Sequence, residues 1–150
     1  MTVPLSPLIS AHTASTGFMA GMIWTIQRVH YPLFDRVGVD AFPEYAAAHQ
    51  QRITWMLALP WAVEGLTSLA LAADPPPGVG RTLPMAGLAA AGVAVATTVG
   101  LSVPEHTRLS DGYDADAVRR LVRTNWLRTA AWSAHAGIAV WIAARSRSRP

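Results

Sequence analysis

The sequence predicts an all-α protein, a bundle of four transmembrane helices, because long apolar segments alternate with short charged ones. Of its 150 residues, 51% are hydrophobic and only 14% are charged, a balance that is unusual for a soluble domain of this size. The charged residues concentrate in 28–52, in 104–128 and at the end of the chain. We therefore expect residues 1–150 to form a single integral membrane domain.

Four segments are long enough to be membrane spans. The cleanest, 83–103, carries no charge, and at about 1.5 Å per residue it covers a hydrocarbon core of about 30 Å. The other predicted spans, 8–29, 52–73 and 124–144, contain a few polar side chains. The alternative is a soluble four-helix bundle, whose helices should each carry a polar stripe. Residues 86–103 offer only Thr97, Thr98 and Ser102 as polar side chains, which favours the membrane.

The ends of the first two helices are marked by prolines and an acid. Helix 1 should end near His30, because Tyr31-Pro32 forces the chain out of the helical region. Helix 2 is expected to begin with Asp40 as N-cap and to form an amphipathic extension before it enters the membrane. Pro60 should kink this helix.

The last two helices are delimited in the same way. A rigid proline-rich turn at 74–80 precedes helix 3, which Pro104 should stop. Asp114 and Asp116 suit the start of helix 4, since the helix dipole favours acids there. This helix is predicted to begin as an amphipathic extension and to run to about Ala144.

Composition excludes several classes of function and indicates a location. The twelve basic residues are all arginines and form no stripe with interleaved aromatics, so no nucleic-acid partner is expected. Zero cysteines excludes disulfides, thiolate metal sites and thiol nucleophiles. Arginine without lysine, together with many alanines, is typical of a GC-rich genome. We expect a multi-pass protein of a bacterial plasma membrane. Its expected partners are membrane lipid and, in a homo-oligomer, further copies of the same chain.

Histidines gather at one end of the predicted bundle. With four spans, the connections 28–52 and 104–124 share one end, called the first end here, and the proline-rich turn lies at the second end. His30, His49 and His106 fall at the first end, each near the end of a different helix. Neutral imidazole is the commonest metal ligand, so these three are candidate ligands for zinc, copper, iron or haem. Alternatively, they only cap helix ends.

Two polar stripes are predicted to turn inward. His49 and Arg52 share one face of helix 2, and Asn125, Arg128 and His135 share one face of helix 4. Arginine and histidine inside a span should face the bundle interior, because exposure to lipid is costly. The candidate catalytic residues are therefore His49, Arg52, His106, Asn125 and Arg128.

A second layer is predicted at mid-membrane. Glu64 follows His49 by 15 residues, about 22 Å along a helix, so the two cannot ligate one ion. Glu64 and His135 lie at comparable depth and form a predicted pair, either a proton relay or a hydrogen bond that fixes packing. His12 precedes His30 by 18 residues and is excluded from the site as an isolated residue near the second end.

Two short segments carry a family resemblance. The string from Val103 to Leu109, followed by the string from Leu121 to Thr129, resembles the anthrone-oxygenase-like family of small membrane proteins, which have four helices. The resemblance implies oxygenation of phenolic polycyclic substrates and points to His106, Asn125 and Arg128. The histidines near residues 30 and 49 have no place in the family pattern.

Three functional hypotheses are open. The first is a membrane-embedded oxidoreductase or oxygenase with a histidine-bound metal or haem, in which Arg52 and Arg128 hold a small phenolic or other anionic organic molecule. The second is a non-enzymatic carrier or assembly partner that works through Glu64 and His135. In the third, the polar residues only hold the bundle together.

Overall fold

The computed structural model describes residues 5–147, which are helical apart from short turns. This range contains no strand, so the all-α prediction is confirmed. Two π-helical turns and two 3-10 segments connect or extend the α-helices. The helices are α1 (Pro7–Thr25), α2 (Phe42–Ala73), α3 (Thr82–Thr97), α4 (Val103–Asp111) and α5 (Ala115–Arg147).

The helices form a four-cornered bundle in which α4 continues the direction of α3 through a π turn. α5 packs against α1 and α3, and α2 packs against α1, α3 and α4. Over residues 5–147 the backbones of α2 and α5 do not approach each other. They therefore occupy opposite corners, and side chains that join them must cross the bundle centre. The main core contains Met19, Ile23, Phe34, Phe42 and Trp132.

Two of the described helices are long and apolar enough to cross a membrane. They are Val39–Ala73 and Thr82–Asp111, judged by length and composition. They contain the predicted spans 52–73 and 83–103. The other two predicted spans, 8–29 and 124–144, fall on α1 with its π turn and on α5. The fold is thus a four-helix arrangement with two helices of membrane-spanning character.

The regular α-helical part of helix 1 ends just before the predicted position, but the predicted exit from the helical region at Tyr31 is wrong. Tyr31 has helical angles (φ −63°, ψ −40°), and the chain becomes extended only at Val37. A π turn, Ile26–His30, follows α1, and a 3-10 segment, Tyr31–Arg36, continues the chain. The backbone N–H of Tyr31 donates to the carbonyl of Ile26, five residues back. Pro32 follows and has no N–H to donate, so the α-helical pattern ends here.

The predicted stop of helix 3 at Pro104 is wrong. A π turn, Thr98–Ser102, ends in a bond from the N–H of Val103 to the carbonyl of Thr98, and α4 then runs to Asp111. In a regular helix, Pro104 would lose a hydrogen bond and clash with the carbonyl four residues back. The wider turn in front of it removes this conflict. His106 therefore lies on a helix and not in a loop.

The starts of α2 and α5 differ in how well they were predicted. Asp40 lies in a 3-10 segment, Val39–Ala41, and α2 begins at Phe42 without a side-chain cap. The predicted Asp40 cap is therefore wrong, although the helix begins two residues later. Asp114 accepts hydrogen bonds from the N–H groups of Asp116 (2.8 Å) and Ala117 (3.1 Å). The predicted start of helix 4 is confirmed.

The first turns of α2 and α5 are amphipathic, as the sequence predicted. At the start of α2, Phe42 and Ala46 are buried, whereas Glu44 is exposed. At the start of α5, Leu121 is buried and Arg120 is exposed. Pro60 lies inside α2, which continues past it to its end at residue 73.

Helices α3 and α5 approach closely at Gly87. A Cβ atom at this position would lie 3.3 Å from Cδ2 of His135 and 3.3 Å from Cγ2 of Ile138. Gly92, on the same helix, has open space around its Cα. Small residues at such a contact let two helix backbones come together.

We expect Gly87→Leu to destabilise the bundle by about 1–3 kcal/mol, because the added side chain must displace His135 or Ile138. The measurement is the thermal unfolding midpoint in detergent. Gly92→Leu is the matched control and should leave the midpoint unchanged or raise it. Equal midpoints for the two variants would contradict the close packing at Gly87.

Candidate functional site

A cavity of about 280 Å³ lies among α1, α2, the second π turn, α4 and α5. Its body is lined by apolar side chains, including Met22, Ile53 and Leu57. Its polar groups come from the elements that meet at the first end. They are Tyr31, Gln50, Thr54, Thr98, Ser102, His106 and Arg128.

Arg128 is the only cation among the described residues that line this cavity, and it is 6% exposed. Its Nη1 donates to Oδ1 of Asn125 (3.0 Å) and to Oγ of Ser102 (3.3 Å). Nδ2 of Asn125 in turn donates to Oε1 of Gln27 (2.8 Å). The guanidinium is therefore held by neutral groups, the amides of Asn125 and Gln27 and the hydroxyl of Ser102.

The hydrogen-bonding capacity of Arg128 is incompletely used. Within residues 5–147, its Nε has no hydrogen-bond partner and its guanidinium forms no ion pair with a carboxylate. Burying a charge is costly unless it is paired and hydrogen-bonded. The site therefore combines a positive charge, an unused donor and an adjacent cavity.

His106 and Tyr31 form a second polar pair in the same cavity. The hydroxyl of Tyr31 lies 3.0 Å from Nε2 of His106. Gln50 holds α4 in place by donating from Nε2 to the carbonyl oxygen of His106 (3.2 Å). Burial raises the pKa of Tyr31, and the neighbouring positive charge of Arg128 opposes this rise.

His30 and His49 pair with each other beside a separate cleft. Nε2 of His30 lies 2.8 Å from Nδ1 of His49, so one ring donates and the other accepts. The cleft, about 250 Å³, is also lined by Tyr45 and Arg52. The side chain of Arg52 is exposed, so its predicted inward orientation beside Arg128 is wrong. Its side chain lies on the outer surface of α2.

The histidines predicted to bind metal or haem lie near one another, but one ring nitrogen of each is already engaged. His30 and His49 share one hydrogen bond, and Nε2 of His106 faces Tyr31. The rings of His49 and His106 are 5.5 Å apart at their centroids. In the described part of the chain, no group of three histidine or acidic side chains has the arrangement of a metal site. The prediction of a metal or haem ligand set finds no support in this geometry.

Glu64 and His135 meet at the centre of the bundle, where α2 and α5 face each other diagonally. Oε1 of Glu64 lies 3.1 Å from Nδ1 of His135, and both residues are at most 1% exposed. Among the described residues neither atom has another hydrogen-bond partner. Oε2 of Glu64 accepts from Nε1 of Trp132 (3.1 Å), and Oγ of Ser68 lies 3.4 Å from Nε2 of His135.

His12 belongs to this central cluster, which corrects its exclusion as an isolated residue. It is 2% exposed, its Nδ1 lies 3.0 Å from Oγ1 of Thr67, and its ring centroid is 5.2 Å from that of His135. The sequence held a signal for this contact. His12 precedes His30 by 18 residues and Thr67 follows His49 by 18 residues, so two antiparallel helices joined at His30 and His49 meet again at His12 and Thr67.

The sequence analysis did not identify several polar residues of the site. Tyr31, Gln50 and Ser102 line the cavity, and Gln27 accepts a hydrogen bond from Asn125 beside it. Gln27 is 3% exposed, and Ser102 is 2% exposed. Both interrupt predicted spans with a polar side chain, and such residues face the bundle interior because lipid disfavours them. That rule, applied to helices 1 and 3 as it was to helices 2 and 4, would have found them.

Comparison of the chain with protein-family models, curated proteins and solved structures found no match. The resemblance to anthrone-oxygenase-like proteins stays a prediction. The function is therefore inferred from the geometry of the site itself.

The three histidines of the first end lie beyond the predicted spans and have low proton affinity. Burial, together with the smaller effects of His30 and His106, lowers the pKa of His49 to about 3. Burial and the charge of Arg128 lower the pKa of His106 to about 4. Burial also lowers the pKa of His30. All three are neutral at pH 7.

We expect the free energy of unfolding to fall as the pH is lowered from about 6.5 toward about 4. In this range the unfolded chain binds protons on these histidines while the folded chain does not, so acid favours unfolding. The measurement compares thermal midpoints in detergent at the two ends of the range. His49→Gln should reduce the difference, and the exposed Arg36→Gln should not. An equal difference in both variants would contradict the burial of a neutral His49.

Proposed function

We propose that this chain is an integral membrane protein of four spans that binds a small, largely apolar molecule with one anionic or phenolic oxygen. Arg128 would hold that oxygen, and the apolar cavity would hold the rest of the molecule. The observation that carries the proposal is a buried guanidinium that lines a cavity, has no carboxylate partner in the described chain and keeps one N–H group without a hydrogen-bond partner.

The outer surface supports a membrane environment on all four sides of the bundle. Large apolar side chains are exposed on every long helix, whereas soluble monomers rarely expose large contiguous apolar patches. In the most apolar window of Thr82–Asp111, only 17% of the residues are buried, unlike the core helix of a soluble protein. The exposed residues include Phe18 and Trp24 on α1, Trp55 and Leu59 on α2, Met85 and Val93 on α3, and Leu127 and Trp141 on α5.

The composition of the cavity supports the class of ligand. Small-molecule sites are mostly apolar, with a few polar groups that fix orientation. Here Ile53, Leu57 and Trp61 provide apolar walls, and Arg128 provides the charge. Arginine is suited to carboxylate and phenolate oxygens because its guanidinium presents several donors in a fixed plane.

The pair formed by Tyr31 and His106 supports hydrogen bonding to the ligand as the second role of this site. His106 is neutral at pH 7, because burial and Arg128 lower its pKa to about 4, so it adds a polar group without a charge. A phenolate or enolate oxygen in the cavity would be stabilised by the guanidinium of Arg128. The oxygenase activity implied by the family resemblance would begin from such an electron-rich anion.

The four-span topology can be tested directly because the chain contains no cysteine. Three single cysteines would replace exposed residues at the two ends of the bundle, in the variants Asp40→Cys, Asp111→Cys and Pro77→Cys. With four spans, positions 40 and 111 lie on one side of the membrane and position 77 on the other. A membrane-impermeable thiol reagent applied to oriented vesicles should separate them in this way. Labelling of all three from one side would contradict four spans.

The anion site can be tested with 1-naphthoate and 1-naphthol as probes and naphthalene as a neutral analogue. We expect Arg128→Gln to weaken 1-naphthoate binding about 10- to 100-fold, because a hydrogen bond to a charged group contributes about 1.5–3 kcal/mol. Binding of naphthalene should change little. Affinities are measured by titration in detergent, with binding to protein-free micelles subtracted.

Two further variants complete this test. Arg128→Lys keeps the positive charge and should retain part of the affinity for 1-naphthoate. Arg123→Gln removes an exposed arginine from the same helix and should leave it unchanged. If Arg128→Gln and Arg123→Gln bind 1-naphthoate equally well, Arg128 is not the anchor of the anion.

A further inference from the structure

The central cluster of Glu64 and His135 does not line the cavity beside Arg128. Its two facing atoms, Oε1 of Glu64 and Nδ1 of His135, lie 3.1 Å apart and have no other hydrogen-bond partner among residues 5–147. The pair can gain or lose one proton at these two atoms without breaking a hydrogen bond to a neighbouring residue. A buried acid and histidine in a membrane bundle are also a functional candidate in their own right.

The indole of Trp132 connects this pair to the anion site. Its Nε1–H donates to Oε2 of Glu64 at 3.1 Å. The Cζ atom of Arg128 lies 5.3 Å from the centroid of the same ring. The buried carboxylate of Glu64 therefore contacts the edge of the indole, and the buried guanidinium of Arg128 lies over its face. Their charges can interact through this side chain, because both groups are buried and a low local dielectric strengthens electrostatic interactions.

We propose, on the basis of the anion site at Arg128, that Glu64 and His135 together take up one proton whenever an anion binds. In the proposed empty state, the positive charge of Arg128 is matched by one negative charge on the Glu64–His135 pair as a whole. A bound anion adds one negative charge to the same interior. A proton on His135, directly against the carboxylate, restores neutrality, and an uncompensated buried charge is avoided.

The neighbours of the pair favour this position for the proton. On α1 the nearest ionisable group is His12, whose Nδ1 faces Thr67 of α2. Over its range 82–97, α3 carries no ionisable side chain. On α5 the charged neighbour is Arg128, beyond Trp132. His135 is thus the histidine in direct contact with the negative charge.

His106 is the competing acceptor, since it lines the cavity. It has no carboxylate in contact among the described residues, and its hydrogen-bond partner is the neutral hydroxyl of Tyr31. The charge of Arg128 further disfavours a proton on this ring. A proton on His135 gains an opposite charge at 3.1 Å, whereas one on His106 gains none.

The experiment measures protons taken from solution as 1-naphthoate binds to the purified full-length protein in detergent at pH 7. A carboxylic acid of this kind is fully ionised at that pH, so it supplies no proton. A pH indicator in weakly buffered solution reports the uptake, after subtraction of protein-free micelles. We expect about one proton per bound 1-naphthoate and none for naphthalene. Affinity for 1-naphthoate should accordingly fall up to about tenfold per pH unit as the pH rises.

Variants assign the proton to the pair. Glu64→Gln should abolish the uptake, and Glu44→Gln, which alters an exposed carboxylate on the same helix, should preserve it. If Glu64→Gln does not fold, Trp132→Phe, which removes the N–H donated to Glu64, should still alter the pH dependence of binding. Uptake that survives Glu64→Gln but is lost in His106→Gln would overturn the inference by assigning the proton to His106.

The two proposals fail in different ways. Binding of 1-naphthoate with no proton uptake and no pH dependence overturns the coupling and leaves the anion site intact. Absence of 1-naphthoate binding, with naphthalene still bound, overturns the anion site and the coupling that rests on it. Uptake that is equal for 1-naphthoate and naphthalene also overturns the coupling, because it would not depend on the charge of the ligand.

Discussion

The burial of Arg128 is the constraint on which the rest of the interior depends. Its guanidinium is 6% exposed and has no carboxylate in contact within the described chain, so its desolvation is offset by neutral dipoles. Asn125 and Ser102 accept from Nη1, and Gln27 in turn accepts from Asn125. The indole of Trp132 covers one face. Side chains from three segments of the chain are therefore oriented around one charge, and that charged residue also lines the cavity.

The helices could be predicted where a local interaction decides them. Asp114 caps α5 because its carboxylate reaches two N–H groups within three residues, an interaction that is readable from adjacent positions. Pro104 misled the prediction because its effect depends on the preceding turn, and no short motif in the sequence marks a π turn. Asp40 misled it for a similar reason, since the chain enters α2 through a 3-10 segment.

For the site, the sequence predicted the depth of each side chain along its helix, because depth follows from counting residues at a fixed rise. Counting residues placed Glu64 and His135 at one level, and their facing atoms are 3.1 Å apart. Counting along one helix alone separated His12 from the rest, although it packs against His135. Orientation was harder to predict than depth. Arg52 lies three residues after His49 on the same predicted face, but its side chain is exposed, whereas His49 packs against His30.

The two π turns give the first end an unusual symmetry. Ile26–His30 and Thr98–Ser102 each contain five residues, and in both cases a proline stands two positions after the turn. Relative to a regular helix, each turn holds one extra residue and rotates the next part of the chain by about 100°. Tyr31 and His106, the two partners across the cavity, both come after such a turn. Their meeting is thus set by one inserted residue in each of two helices, and a related chain that lacked either insertion would keep the bundle but lose the pair.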